Sequence, residues 1–145
     1  MANTEVSKYT GDAGQVKTIE DAQRVITDVW FSDYEKYGYG RLALIEKESQ
    51  ELIGFCGLKY LPEFKKPDLG YRMLPQYWGK GYATESARAA LDYGVNSLDM
   101  KTIMGLTFPE NTSSQKVLKK LGFIKKEIIE VDGHKCNLFL YEPDQ

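Results

Sequence analysis

The run "PQYWGKGYATESARAALDYG", residues 75–94, restricts this chain more than any other segment. Gly79 and Gly81, one residue apart, let the backbone turn tightly and expose its N–H groups. Ala83, Ala87, Ala90 and Leu91 then recur at the spacing of one apolar face, so a helix is expected from Ala83 to Tyr93. A glycine turn feeding a helix N-terminus gathers unpaired N–H groups and the positive end of the helix dipole at one point. Such a junction suits an anion, phosphate first of all.

The flanking sequence supplies the elements that this junction needs. Residues 1 to 17 read as polar loop. Thr18 and Asp21 form a capping box before "IEDAQRVITDVWFSDYEKYG", where Ile19, Ala22, Ile26, Val29 and Trp30 keep helical spacing and Gly38 and Gly40 stop the helix. "RLALIEKESQELIGFCGLKYL" reads as two strands about the polar turn Lys47–Gln50, and "DLGYRML" as a third strand ending at Pro75. After the glycine turn and its helix come the strand "KTIMGLTF" and a short helix capped from Asn111, with Val117, Leu118 and Leu121 inward. The end, "FIKKEIIEVDGHKCNLFLY", is a hairpin about Asp132-Gly133, a favoured two-residue turn. The order α-β-β-β-α-β-α-β-β implies a parallel strand pair across the helical crossover and antiparallel hairpins on either side. One mixed α/β domain over residues 1–145 is expected.

Bulk properties exclude several classes. The formal net charge is −2 and the pI near 5.5, so no global basic field recruits nucleic acid. No apolar run approaches the ~20 residues of a membrane span. "MANTEVSKYTGDAG" lacks the apolar stretch of a signal peptide. Cys56 and Cys136, far apart and in strand-like segments, read as two reduced, buried thiols of a cytoplasmic protein. No cluster has metal-ligand spacing.

Among phosphate-binding motifs, the P-loop fails because Gly81 follows Lys80 where Ser or Thr is required. The dinucleotide fingerprint fails because Thr84 stands at its third glycine. Q-x-x-G-x-G fits, as Gln76, Gly79 and Gly81. Alone this hexapeptide is an ordinary turn. Together with "LIGFCGL", "DLGYRMLPQYWGKGYATESARAALDYG" and "PENTSSQKVLKKLGF", in that order and spacing, the chain resembles the GNAT superfamily of acetyl-coenzyme A-dependent N-acetyltransferases. The nearest branch is similar to the RimJ/RimL-type enzymes, and the likeness runs from about Gly38 to Tyr141.

That resemblance implies a mostly antiparallel sheet whose parallel pair splays at its C-terminal ends, with flanking helices. The pyrophosphate would rest on the N–H groups of Trp78, Gly79, Lys80, Gly81, Tyr82 and Ala83, after Gln76. Pantetheine would lie in the splay, met by main-chain groups of Tyr71 and Met73, and a β-bulge there would direct an N–H at the acetyl carbonyl oxygen. Asp68 stands where the branch has Glu and is the candidate general base toward the amine, acting through water; its competing reading is an exposed loop Asp. Many relatives carry a thiol-protonating Tyr seven residues after the motif Asn. From Asn111 that position is Leu118; the RimJ/RimL-like branch often has a Ser three residues after that Asn, and the resemblance thus implies Ser114 as the candidate donor. Asn111 would bond the pantetheine amide or position Ser114, with helix capping as the simpler role. Lys116 and Lys119 would reach the 3′-phosphate.

Several residues carry less. His134, beside the hairpin turn, reads as a surface residue, and Trp30, Phe31, Tyr34, Tyr37 and Tyr39 read either as acceptor-pocket wall or as core. The family pattern opens with a strand and a helix ahead of the part matching "ANTEVSKYTGD", so roughly 25–30 residues of the usual fold are expected to be absent. The strand Arg41–Lys47, with Leu42, Leu44 and Ile45, would then lie at an open edge, covered either by segment 1–17 or, as is expected, by a second copy in a homodimer. The expected activity is acetyl transfer from acetyl-coenzyme A to a primary amine. A catalytically weak acyl-coenzyme A-binding module on the same fold is the alternative.

Overall fold

The computed structural model describes residue 20, residues 23–24 and residues 26–143. The expected loop 1–17, the capping box at Thr18 and Asp21, and Ile19 and Ala22 lie outside the described residues. The first helical segment is π-wound over Ile26–Trp30 and continues as α1, Phe31–Tyr37. Gly38 ends it at φ 76°, where its N–H reaches Tyr34 O at 3.0 Å. Glycine enters that left-handed turn without the Cβ penalty.

The other elements are β1 (Arg41–Ile45), β2 (Leu52–Leu61), β3 (Lys66–Met73), α2 (Tyr82–Asn96), β4 (Ile103–Thr107), α3 (Thr112–Lys120), β5 (Ile124–Val131) and β6 (His134–Tyr141). One sheet joins the strands in the order β1-β2-β3-β4-β6-β5. Every neighbouring pair is antiparallel except β3 with β4. This is the expected mixed α/β architecture. The final hairpin turns through Asp132 at φ 51° and Gly133 at φ 81°, two successive left-handed residues that match the strand twist.

Alternation divides the sheet into two faces. Cys56, Leu58, Leu69, Ile103 and Phe139 face α2 and α3, where Ala87, Leu91, Leu118, Leu121 and Phe123 close the core. Phe139, Leu91 and Ile103 are fully buried, each contributing ~1.5–3 kcal/mol of transfer free energy. The opposite face carries α1, with Trp30 edge-on to Phe55 at 5.0 Å and Asp33 reaching Lys59. Both Cys56 and Cys136 are free and buried. No helix among the described residues is long and apolar enough to cross a membrane.

Three expected boundaries move. The turn after β1 spans residues 46–51, and α2 starts at Tyr82 rather than Ala83. β3 begins at Lys66, so Asp68 lies inside a strand and not on an exposed loop. The last shift bears directly on the site.

Candidate functional site

β3 and β4 share one paired position, Asp68 with Met104. Beyond it β3 continues to Met73 and β4 to Thr107 without another, so the pair splays as expected. The β2–β3 register is one-for-one from Gly54–Met73 to Leu61–Lys66, which corrects the expected bulge: the gap opens by divergence from β4. Leu74 N–H bonds Ile53 O at 3.0 Å in line with that register. By antiparallel alternation the even-numbered residues of β3 therefore bond β2, while Leu69, Tyr71 and Met73 turn their main-chain groups toward β4. For Tyr71 and Met73 that side is the gap. Met73 O accepts the Trp78 indole N–H there at 2.9 Å.

The glycine turn closes one end of the gap. Gly79 and Gly81 have φ 75° and 84°, and no protein atom lies within 4 Å of where a Cβ would project from either. These residues thus supply left-handed backbone and leave open space beside it. Gly81 caps α2 without a side-chain hydrogen bond, and the first intrahelical bond is Glu85 N–H to Gly81 O at 3.0 Å. The N–H groups of Tyr82, Ala83 and Thr84 precede it and have no acceptor within the helix. Two phenols tie the turn to the β1–β2 connection, Tyr77 to Glu51 at 2.9 Å and Tyr82 to Glu46 at 2.5 Å. The carboxylate at Glu46 pushes the Tyr82 phenol up to about 12.

A cleft of about 450 Å³ runs from this turn to α3. Tyr71 and Met73 line it from β3, Trp78, Gly79 and Gly81 from the turn, and Tyr82 and Ala83 from α2. Asn111, Ser114 and Lys116 line it from the α3 side. Gln76 and Lys80, both expected here, do not: Gln76 is exposed on the helical turn Pro75–Tyr77, and Lys80 Nζ sits 5.6 Å from the Tyr77 ring centroid. Lys120 takes the place expected of Lys119, because it lies one helical turn from Lys116 and shares its face. Arg72, Tyr77, Thr84, Ser113 and Val117 were not foreseen. Among the described residues that line the cleft none is acidic, whereas Lys116 and Lys120 present cationic side chains.

Asn111 Oδ1 caps α3 by accepting the Ser114 N–H at 3.2 Å, which bears out the capping role. Ser114 Oγ lies 3.1 Å from the Tyr71 hydroxyl. Burial pushes the Tyr71 phenol above its usual range, and the Ser114 contact partly offsets this. Leu118 is 4% exposed, and its Cδ1 would lie 2.9 Å from a Cβ on Gly105. The position seven residues after Asn111 is therefore core.

Asp68 does not line this cleft. Alternation puts Asp68, Gly70 and Arg72 on the opposite face from Tyr71. Arg41 lies across Gly57 and Gly70 to reach it, with Nη2 2.9 Å from Asp68 Oδ2. Arg41 Nη1 donates to Gly57 O and, at 3.1 Å, to Asp68 O. A Cβ at Gly70 would stand 2.8 Å from Arg41 Nη2, so a side chain there would push the guanidinium aside. Lys59, directly opposite Asp68 in register, is held by Asp33 at 2.6 Å. Burial pushes the Asp68 carboxyl up, with Arg41 pulling it partly back. Its Oδ1 has no hydrogen-bond partner among the described residues.

The aromatic stripe divides. Tyr37 stacks on Tyr60 at 4.6 Å and Tyr39 packs against the core, while Phe31 and Tyr34 are exposed. His134 is exposed at the start of β6. Among the described residues no group of three His, Cys, Asp or Glu side chains could hold a metal ion.

These features fit an elongated anionic ligand. Open N–H groups, two left-handed glycines beside empty space, and cationic side chains at the far wall match a nucleotide diphosphate with a long neutral arm.

Comparison with known proteins agrees. The model of the acetyltransferase (GNAT) domain family matches residues 1–124. The uncharacterized N-acetyltransferase YoaA of Bacillus subtilis is 30% identical over 130 residues, covering 89% of this chain and 72% of that protein. The uncharacterized N-acetyltransferase p20 of Bacillus licheniformis is 38% identical over 90 residues, 61% of this chain and only 51% of its own length. A crystal structure of a GNAT-family acetyltransferase from Bacillus anthracis superposes with a TM-score of 0.79 at 24% identity, over 99% of this chain and 85% of that one, a likeness of fold. Glycine turn, splayed strands, a cleft flanked by Lys116 and Lys120, and the family match converge: the chain belongs to the GNAT acetyltransferase family.

Proposed function

We propose that this protein transfers an acetyl group from acetyl-coenzyme A to a primary amine, either a protein N-terminus or a small-molecule amine. The observation that carries the reading is the cleft itself, which joins the uncapped start of α2 to Lys116 and Lys120 with no acidic side chain among the described residues that line it. Acetyl-coenzyme A supplies the activated thioester when bound. The N–H groups from Trp78 to Ala83 would hold its diphosphate, and Lys116 with Lys120 its 3′-phosphate. The Tyr71 and Met73 main chains, freed by the splay, would meet the pantetheine arm and the acetyl carbonyl oxygen.

An amine is protonated at neutral pH, so a base must act before attack. Asp68 is the proposed base, on the sheet face opposite the cleft, its unpartnered Oδ1 receiving the proton through water and its Oδ2 held by Arg41. A buried carboxyl with a raised pKa is a better proton acceptor than an exposed one. Ser114 would serve the leaving sulfur. The weakly catalytic binding module rests on Leu118, since α3 offers no phenol at that position; hydroxyls of Ser114 and Tyr71 in the cleft speak for the enzyme.

Relatives suggest acceptors of both kinds. Spermidine N(1)-acetyltransferase of Escherichia coli is 39% identical over 49 residues. A ribosomal-protein-S5-alanine acetyltransferase from Vibrio fischeri superposes with a TM-score of 0.74 at 20% identity. A RimJ/RimL-like place in the family and a reducing, cytoplasmic setting for the two free thiols complete the proposal. Release of coenzyme A thiol, assayed against peptides with free N-termini and against polyamines, tests it. Acceptor-dependent release supports transfer. Coenzyme A binding without release from any amine favours the module.

A further inference from the structure

We propose that the Tyr71 side chain is a positioning residue for the transfer: its phenol fixes the Ser114 hydroxyl so that the pair always presents one O–H to the leaving sulfur. The inference rests on the acetyl-coenzyme A reading above. Its starting point is the 3.1 Å contact between Tyr71 on β3 and Ser114 on α3, which bridges the two sides of the cleft. Two hydroxyls carry two hydrogens, and their mutual bond uses one. Whichever group donates, the other hydrogen remains for a third atom.

A serine hydroxyl alone rotates freely, so its hydrogen spends much of its time elsewhere. The Tyr71 ring packs against the buried core, which makes its oxygen a fixed point for Ser114. The helix cannot supply an equivalent group one turn on, because Leu118 is packed over Gly105. A phenol from the neighbouring strand thus stands where the helix offers only a leucine.

Acidity decides what the pair can do. As the acetyl C–S bond breaks, its electron pair passes to sulfur. An ordinary phenol titrates at about 10, no more acidic than an alkyl thiol, so proton transfer from Tyr71 to the thiolate gains nothing. Burial raises the phenol further. The pair therefore keeps both protons and donates a hydrogen bond. Sulfur leaves as a hydrogen-bonded thiolate and takes its proton from solvent water. Donation to the charged form lowers the thiol's pKa, which gives a readout independent of turnover.

The test titrates the thiol of coenzyme A bound at saturation to wild type, Y71F and S114A, by thiolate ultraviolet absorbance with the unliganded protein subtracted. Melting temperature, kcat and the KM for acetyl-coenzyme A are measured alongside. The bound thiol should titrate about one unit lower on wild type than on either variant. Y71F should lose about tenfold in kcat while KM stays within about threefold. The double variant should be no worse than the poorer single within about threefold, because the hydroxyls act as one unit. An unchanged titration in Y71F, or a loss confined to melting temperature and KM, overturns the positioning role and leaves the cofactor reading intact. S114A gives the same test should Y71F not fold. Wild type that binds no coenzyme A overturns both.

Discussion

Removing the Arg41 guanidinium should cost stability in a way that depends on pH. The side chains of Arg41 and Asp68 are each 12% exposed, and their contact is 2.9 Å. Arg41→Met keeps the chain that lies over Gly57 and Gly70 but leaves the carboxylate unpaired. Lys59 cannot take over without abandoning Asp33 at 2.6 Å. Breaking a buried pair from one side costs about 3–5 kcal/mol, a large part of the 5–15 kcal/mol typical of a domain. Without Arg41 the Asp68 carboxyl is raised further above its unfolded value. Between those two values the folded state holds more protons than the unfolded, so stability falls as pH rises and returns on acidification. The slope is at most ~1.4 kcal/mol per pH unit, so two units of acidification recover up to ~2.7 kcal/mol. Urea unfolding of wild type and variant at pH 7.5 and 5.5 measures this. A deficit below about 1 kcal/mol, or one equal at both pH values, would refute a buried, charged pair.

Two further outcomes follow from other parts of the molecule. The pair Lys116→Ala and Lys120→Ala should weaken acetyl-coenzyme A binding about tenfold and leave binding of the analogue lacking the 3′-phosphate almost unchanged, as calorimetry would show. β1 lies at one edge of the sheet among the described residues, with Leu42 and Ile45 56% and 51% exposed, so two copies should pair there. Sedimentation at micromolar concentration should report a dimer that Leu42→Lys weakens, and a clean 16.5 kDa monomer would rule this out.

Local chemistry was readable in the sequence and long-range register was not. Asp132-Gly133 and Gly38 fix their turns through backbone conformations open to few residues, so they stand where expected. The glycine turn was legible for the same reason. Lys119 is the expected partner of Lys116, but Lys120 lines the cleft, because which face of a helix meets a neighbour depends on tertiary packing and not on local spacing. Gln76 belongs to the motif but is exposed, on a helical turn closed by the bonds of Tyr77 N–H to Leu74 O and Trp78 N–H to Pro75 O. The Arg41–Asp68 pair joins residues 27 apart through the register of three strands, and the Tyr71–Ser114 contact joins residues 43 apart. Neither leaves a local periodicity to read. The β-bulge was expected from resemblance alone, and divergence of β4 does its work.

The glycine turn as cofactor site is best tested by comparing two glycines of like geometry. Gly81 and Gly133 have φ 84° and 81°, and at neither would a Cβ meet a protein atom within 4 Å. Gly81→Val and Gly133→Val should each lose at least ~1–2 kcal/mol to left-handed strain. Acetyl-coenzyme A at a hundred times its Kd should stabilise wild type by ~2.7 kcal/mol, a rise in melting temperature of roughly 8 °C. Gly133→Val should keep that rise and Gly81→Val should lose it. A full rise in Gly81→Val, or none in wild type, would contradict the assignment of this turn to the cofactor.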